Sequence, residues 1–211
     1  MNRIKAVLIV MAAGCAFGKP SLAQQDLPAC HANQSFGDVS ANAYPNSMSI
    51  RLPSNPAFPG VYNNAFLEMD AKGWALKVEA SRPAGGFPKL TAFGQASVRL
   101  AAPSGAHQVE GRSEFWSTAA SKTNPVRFPA SDAIKLLFFP PAPVGGFVKL
   151  LEKASARGET VELTAKADGQ TVNQYRFKAL DFDKAVKWGE QQMRQVTEMH
   201  RARKCRVFSL F

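Results

Sequence analysis

The 211 residues of this chain include only three cysteines, three histidines and three tyrosines. Three cysteines are too few for a disulfide-dense miniature scaffold, and their spacing is not that of a zinc site. After residue 24, Lys and Arg interrupt every apolar run. None of them reaches the roughly 20 apolar residues that a membrane-spanning helix needs. Acid is scarce as well: 16 Asp and Glu face 26 Lys and Arg, a formal charge of +10. Catalytic signatures are missing too. There is no Gly-x-Ser-x-Gly elbow, no phosphate-cradling Walker loop, no His-Glu-x-x-His, and no Ser with Lys three residues on. What remains is 45% hydrophobic and 20% charged. That composition belongs to a globular chain, and the length suits one domain.

The most informative stretch comes first. Arg3 and Lys5 precede an apolar run from Ala6 to Phe17, Lys19 and Pro20 end it, and Ser21-Leu22-Ala23 follows. This pattern reads as a secretory signal peptide over 1–23, cleaved after Ala23. A second reading of the segment is open, because Ala12-Ala13-Gly14 before Cys15 resembles a lipoprotein processing site that would leave a lipid on the cysteine. Ala12 stands where a large aliphatic is usual, so loss of Cys15 with the signal is the favoured expectation. Removal of the signal would leave 188 residues with a charge of +7 and two cysteines, Cys30 and Cys205. In an oxidising compartment two such residues most simply pair. A reactive thiol at Cys30 beside His31 is the weaker alternative, since neighbours in an extended segment point opposite ways.

Residues 24–60 are rich in Asn, Ser, Pro and Ala and read as an irregular lead-in with one short strand near Met48–Leu52. From 61 to 211 a single β-rich domain is expected. Trp74, Leu76, Val78 and Ala80 alternate with less apolar residues, as do Ala96, Val98 and Leu100, and period two marks a half-buried strand. Val61–Met69 precedes this first set across Asp70-Ala71-Lys72-Gly73, and further strands are expected over 109–116 and 134–139. The clearest hairpin joins Val161, Leu163 and Ala165 to Tyr175, Phe177 and Ala179 through Asp168-Gly169. Helical spacing appears twice. Phe147, Leu150, Leu151 and Ala154 predict a helix over 146–157 stopped by Gly158. Phe182, Ala185, Val186, Gly189, Met193 and Val196 predict another over 182–203, with Asp181 as its N-cap. The fold class is mainly β, an antiparallel sheet or β-sandwich with two appended helices, with α+β as the alternative. The octapeptide Pro83–Leu90 returns with six identities as Pro143–Leu150; two loops punctuated by Pro and Gly-Gly explain it more simply than a duplication.

The functional content lies in the basic surplus. Arg194, Arg201, Arg203, Lys204 and Arg206 crowd the C-terminal stretch against Glu198 alone. A helix dipole accounts for part of such a cluster. The remainder suits an anionic partner, an envelope component or an acidic protein surface. Nucleic acid is not expected, since no recognition motif accompanies the charge. Neither a cofactor nor a metal is implied, and the oligomeric state is open. The histidines His31, His107 and His200 are scattered, and the acid pairs Glu110/Glu114 and Asp181/Asp183 read as surface and helix-end groups.

The stretch from Gly146-Phe147-Val148-Lys149-Leu150-Leu151 through Gly158, Val161-Glu162-Leu163, Asp168-Gly169, Phe177 and Ala185 resembles the C-terminal half of the invasion-associated locus B family. That family consists of exported, β-rich proteins of Gram-negative bacteria, some implicated in host-cell entry, with no established catalytic residues. The resemblance implies export and a β-sandwich-like fold. The expectation is therefore an exported, non-catalytic cell-envelope or secreted binding protein with a Cys30–Cys205 bridge. Its rivals are a periplasmic hydrolase whose site assembles in space around His107 or His31, and an envelope assembly subunit. An exposed apolar patch around Phe138-Phe139-Pro140-Pro141 would favour the last.

Overall fold

A computed structural model describes residues 27–54, 64–81, 93–116, 133–138 and 143–206. The signal segment with Cys15, the first octapeptide copy, Phe139–Pro141 and the last five residues lie outside them. The chain forms β1 (Ala32–Phe36), β2 (Val39–Tyr44), β3 (Ser47–Arg51), β4 (Ala65–Asp70) and β5 (Gly73–Ser81). It continues through β6 (Phe93–Ala102), β7 (Gly105–Trp116) and β8 (Ala133–Phe138) to α1 (Val144–Ala156). Finally come β9 (Thr160–Ala167), β10 (Gln170–Lys178) and α2 (Phe182–Arg201). All ten strands join one antiparallel sheet in the order β1-β2-β3-β4-β5-β8-β7-β6-β9-β10. The fold is thus mainly β with two appended helices.

Alternation sets the register. On β9, Val161, Leu163, Ala165 and Ala167 are buried while most of their neighbours are not, and Asp168-Gly169 returns the chain with positive φ at both residues. That geometry belongs to the two-residue turn favoured between twisted strands. The same inward row continues through Ala96, Val98 and Leu100 of β6 and Leu76, Val78 and Ala80 of β5. The sheet curls strongly. The Asn173 amide on β10 donates to the Glu79 carbonyl on β5, five places away in strand order, at 3.4 Å. One continuous apolar core results, and both helices lay their apolar faces on it. α1 buries Phe147, Leu150, Leu151 and Ala154 at the predicted spacing, and α2 buries Phe182, Ala185, Val186, Gly189 and Val196.

Two expectations need correction. Over its described part, 27–54, the lead-in is not irregular: β1 and β2 precede the expected short strand near Met48–Leu52, which is β3, and β3 pairs directly with β4 across the expected boundary at 60. The period there is carried by Val39, Ala41 and Ala43 against Ser40, Asn42 and Tyr44, so a weakly apolar alanine face hid it. Those alanines lie on strands that pack against α2; small side chains let a helix approach a sheet closely. Asp181 does occupy the N-cap position, but with left-handed backbone (φ 60°, ψ 14°) and no capping hydrogen bond. Its carboxylate pairs instead with Lys184 at 2.5 Å.

Cys30 and Cys205 form a disulfide across 175 residues of sequence. Beside it the backbones of Ala29 and Arg206 pair in parallel, with Cys30 N–H donating to Arg206 O at 2.8 Å and Arg206 N–H to Pro28 O at 2.9 Å. Val196 buries itself against both cysteines, with Ala32 and Met199 partly covered beside them. A cross-link closing so long a loop restricts the unfolded chain by about 5 kcal/mol in the loop-entropy treatment. Replacing both cysteines by alanine is therefore expected to lower unfolding free energy by up to about 5 kcal/mol in guanidinium titration. Reductant should lower the midpoint of the native protein but leave the variant unchanged; equal midpoints for the two oxidised proteins would refute the staple.

Candidate functional site

The basic terminus is built on the way α2 ends. Its last turn closes with Lys204 N–H donating to Met199 O at 2.9 Å and Arg203 N–H to His200 O at 3.0 Å. This double bond pattern is a Schellman closure, and it requires one residue in the left-handed region. At the end of α1 that residue is Gly158, with φ 62°. At the end of α2 it is Arg203, with φ 53°. A side chain there costs roughly 1 kcal/mol, because Cβ crowds the following carbonyl. Directly afterwards the Cys205 disulfide and the paired Arg206 backbone pin the chain to the N-terminal edge of the sheet.

Arg201, Arg203, Lys204 and Arg206 are all exposed and fall within six residues on this pinned corner. The structure separates Arg194 from them. It lies two helical turns earlier on the solvent face of α2, in a shallow 370 Å³ depression shared with Lys187, Glu190, Gln191 and Gln195. Glu198 stands between Arg194 and Arg201 on that face, four residues from the first and three from the second. The predicted group of five is thus a compact group of four and a member of a mixed-charge stripe. Among the described residues, Arg194, Arg201, Arg203 and Lys204 have no acidic partner; salt bridges elsewhere on α2 join Lys184 to Asp181 and Lys187 to Asp183.

The histidines serve the fold. His107 Nε2 donates to the Pro143 carbonyl at 2.8 Å, and its ring lies against Gly146, where any Cβ would collide with it. Gly146, the second glycine of the octapeptide's Gly-Gly, thereby lets the first turn of α1 sit on β7. His31 stacks on Tyr44 at 4.8 Å between ring centres and reaches Asn42 Oδ1 at 3.4 Å. Among the described residues neither imidazole meets a serine hydroxyl or a carboxylate, so the spatial triad required by a hydrolase is not assembled around them. No group of three His, Cys, Asp or Glu among those residues is placed to hold a metal ion. Phe138 is fully buried, packed beside Gly111 in the core.

One feature escaped the sequence reading. The face of β2–β5 turned away from the helices carries a concavity of about 670 Å³ lined by Tyr44, Ser47, Ser49, Glu68, Asp70 and Lys72 among others. Paired positions run Asn33–Asn42–Ser49–Glu68 across four strands, so amides, hydroxyl and carboxylate share one row.

Between the helices lies an acidic group. Burial, then Glu190 and Asp183, push the Glu152 carboxyl above its ordinary 4.5, with Lys187 and Lys149 opposing. Ser155 Oγ donates to Asp183 at 3.1 Å in the same junction.

Comparison with known proteins finds no matching family model, no matching curated protein and no matching solved structure.

The left-handed Arg203 makes Arg203→Gly stabilising by about 1 kcal/mol, visible as a higher melting temperature; an unchanged or lower one would show that no strain is stored there. Glu152 behaves with the sign of a raised acid: its charged form is disfavoured in the folded state. Glu152→Gln should raise stability at neutral pH by about 0.5 kcal/mol at most after solvent screening. The gain should vanish as pH falls below 4.5, where Glu152 is protonated folded or unfolded. A gain that grew in acid would refute this origin.

Proposed function

We propose that the protein is an exported, non-catalytic binding protein of the cell envelope, which captures a multivalent anionic component through Arg201, Arg203, Lys204 and Arg206. One observation carries the reading: four exposed cations are gathered on a corner held by a buried disulfide. Rigid placement matters because a preorganised cation cluster loses little side-chain and backbone freedom on binding. A disulfide is also at home in an oxidising compartment, in keeping with the signal-like residues 1–23. No helix among the described residues is long and apolar enough to cross a membrane. The resemblance of the 146–185 stretch to the invasion-associated locus B family points in the same direction. Arg194, on its mixed-charge stripe, contributes to long-range attraction rather than contact.

Each cation near an anionic membrane surface is worth about 1 kcal/mol. The combined variant Arg201→Glu, Arg203→Glu, Lys204→Glu should therefore bind phosphatidylglycerol vesicles or lipopolysaccharide at least about a hundredfold more weakly. Its melting temperature should stay close to the native value, and native binding should weaken steeply with salt. Native protein that ignores both anionic surfaces would refute the proposal in favour of an acidic protein partner or an enzyme. A variant that unfolds would assign these residues to structure.

A further inference from the structure

The concavity on the outer face of β2–β5 differs in chemistry from the basic corner. Its polar groups are unspent. Among the described residues the hydroxyls of Tyr44, Ser47 and Ser49 and the carboxylate of Glu68 have no hydrogen-bond or ion-pair partner. In the next row toward the opposite end of the strands, Arg51 donates twice to Asn64 Oδ1, at 3.1 and 2.7 Å, and Lys77 lies over the Phe66 ring at 4.6 Å.

Tyr44 supplies the second element. It is 37% exposed, so the sheet does not cover its ring. The His31 ring backs it at 4.8 Å with 21° between planes, so the phenol plate is held upright rather than left to sample rotamers. The same imidazole contacts Asn42 Oδ1, which turns the Asn42 amide donors away from the ring. The aromatic plate, hydroxyls and carboxylates thus line one shallow site, and Asn42 extends it as the residue paired with Ser49 on the neighbouring strand. Across β1 to β4 the polar row spans about 14 Å at the normal interstrand spacing.

That combination matches one ligand class. A pyranose offers an apolar C–H face to an aromatic ring and a girdle of hydroxyls that both donate and accept, for which amides and carboxylates are bidentate partners. Glu68 and Asp70 face the site against Lys72 alone, whose backbone N–H is engaged by the Asp70 carboxylate at 2.7 Å. The local charge repels uronic or phosphorylated sugars. We propose that the outer face of β2–β5 is a binding site for a neutral oligosaccharide, with Tyr44 as stacking platform, Ser49 and Glu68 as hydroxyl partners, and Asn42 beside them in the same cross-strand row. This site is separate from the anion-binding corner and stands whether or not that reading does.

The test is titration of the isotopically labelled full chain with chitotetraose and cellotetraose, followed through backbone amide shifts, with oligogalacturonate as the anionic control. Either neutral probe should move the amides of Tyr44, Ser49 and Glu68 at millimolar concentration, and the anionic control should not. Tyr44→Ala should weaken binding about tenfold or more, the loss of 1.4 kcal/mol or greater, with an unchanged melting temperature. Glu68→Gln should weaken neutral binding less and admit the anionic probe. The variant reversed at Arg201, Arg203 and Lys204 should bind the neutral probes as the native protein does. Absence of shifts with both neutral probes, or shifts undiminished in Tyr44→Ala, would overturn the proposal.

Discussion

The packing of α2 across β1, β2 and β3 positions nearly everything on the surface of this molecule. Gly189 brings the helix against the Met48 sulfur, where a Cβ would be too close. Trp188 meets Phe36 edge to face at 6.0 Å. One turn from the helix end, the Thr197 hydroxyl donates to Met193 O and accepts the Asn46 N–H at 2.9 Å. That pair of bonds locks the β2–β3 turn to the helix, so the direction of Tyr44 on one side and of the basic corner on the other is set by a single junction. Val196, between the two cysteines and the helix, continues the contact into the disulfide. A sheet of this curvature has an open edge at β1, and the helix, the turn and the disulfide together hold that edge in place.

The electrostatics follow from this arrangement rather than from composition. A surplus of ten cations spread evenly would give a uniformly basic protein, yet acids and bases are sorted locally. Lys184 and Lys187 are answered by Asp181 and Asp183 at the start of α2. On the exposed face of β9 and β10, Glu162 holds Arg176 at 2.7 Å and accepts from Gln174, and these bonds keep its carboxyl below the ordinary range. Among the described residues, Arg201, Arg203 and Lys204 at the helix end have no acidic partner of this kind. On the outer face of β4, Glu68 and Asp70 stand beside Lys72 at the concavity, a local excess of acid apart from the basic corner.

The sequence displayed the fold unevenly, for physical reasons. Wherever the buried side chains are Val, Leu or Phe, as on β5, β6, β9 and α1, the period was plain and the boundaries came out within a few residues. Where they are alanines, on β2, the contrast between inner and outer positions fell below what polarity reveals, and β1 and β2 were hidden in an Asn- and Ser-rich stretch, while β3 with Met48 and Ile50 was legible. The disulfide was legible because so few cysteines compete. The basic group was legible as a count but not as a shape: only the Schellman closure and the disulfide show that Arg194 stands apart. The concavity was invisible in sequence, since it exists only where Tyr44, Ser49 and Glu68 meet across strand pairings.

Arg203 offers the sharpest contrast within the chain. Both helices end in the same hydrogen-bond pattern, and α1 uses glycine at the residue where the backbone must turn left-handed. Glycine would serve equally well at the end of α2, since the geometry demanded is the same. Strain retained where a cheaper residue fits points to a requirement other than stability. Outward charge is the requirement that the proposed capture of an anion would impose. The left-handed turn aims Arg203 away from the helix just before Cys205 dives into the buried disulfide, so the cation is presented from a point the backbone cannot withdraw. A residue chosen only to end a helix would have no use for that presentation, whereas a surface that captures anions would.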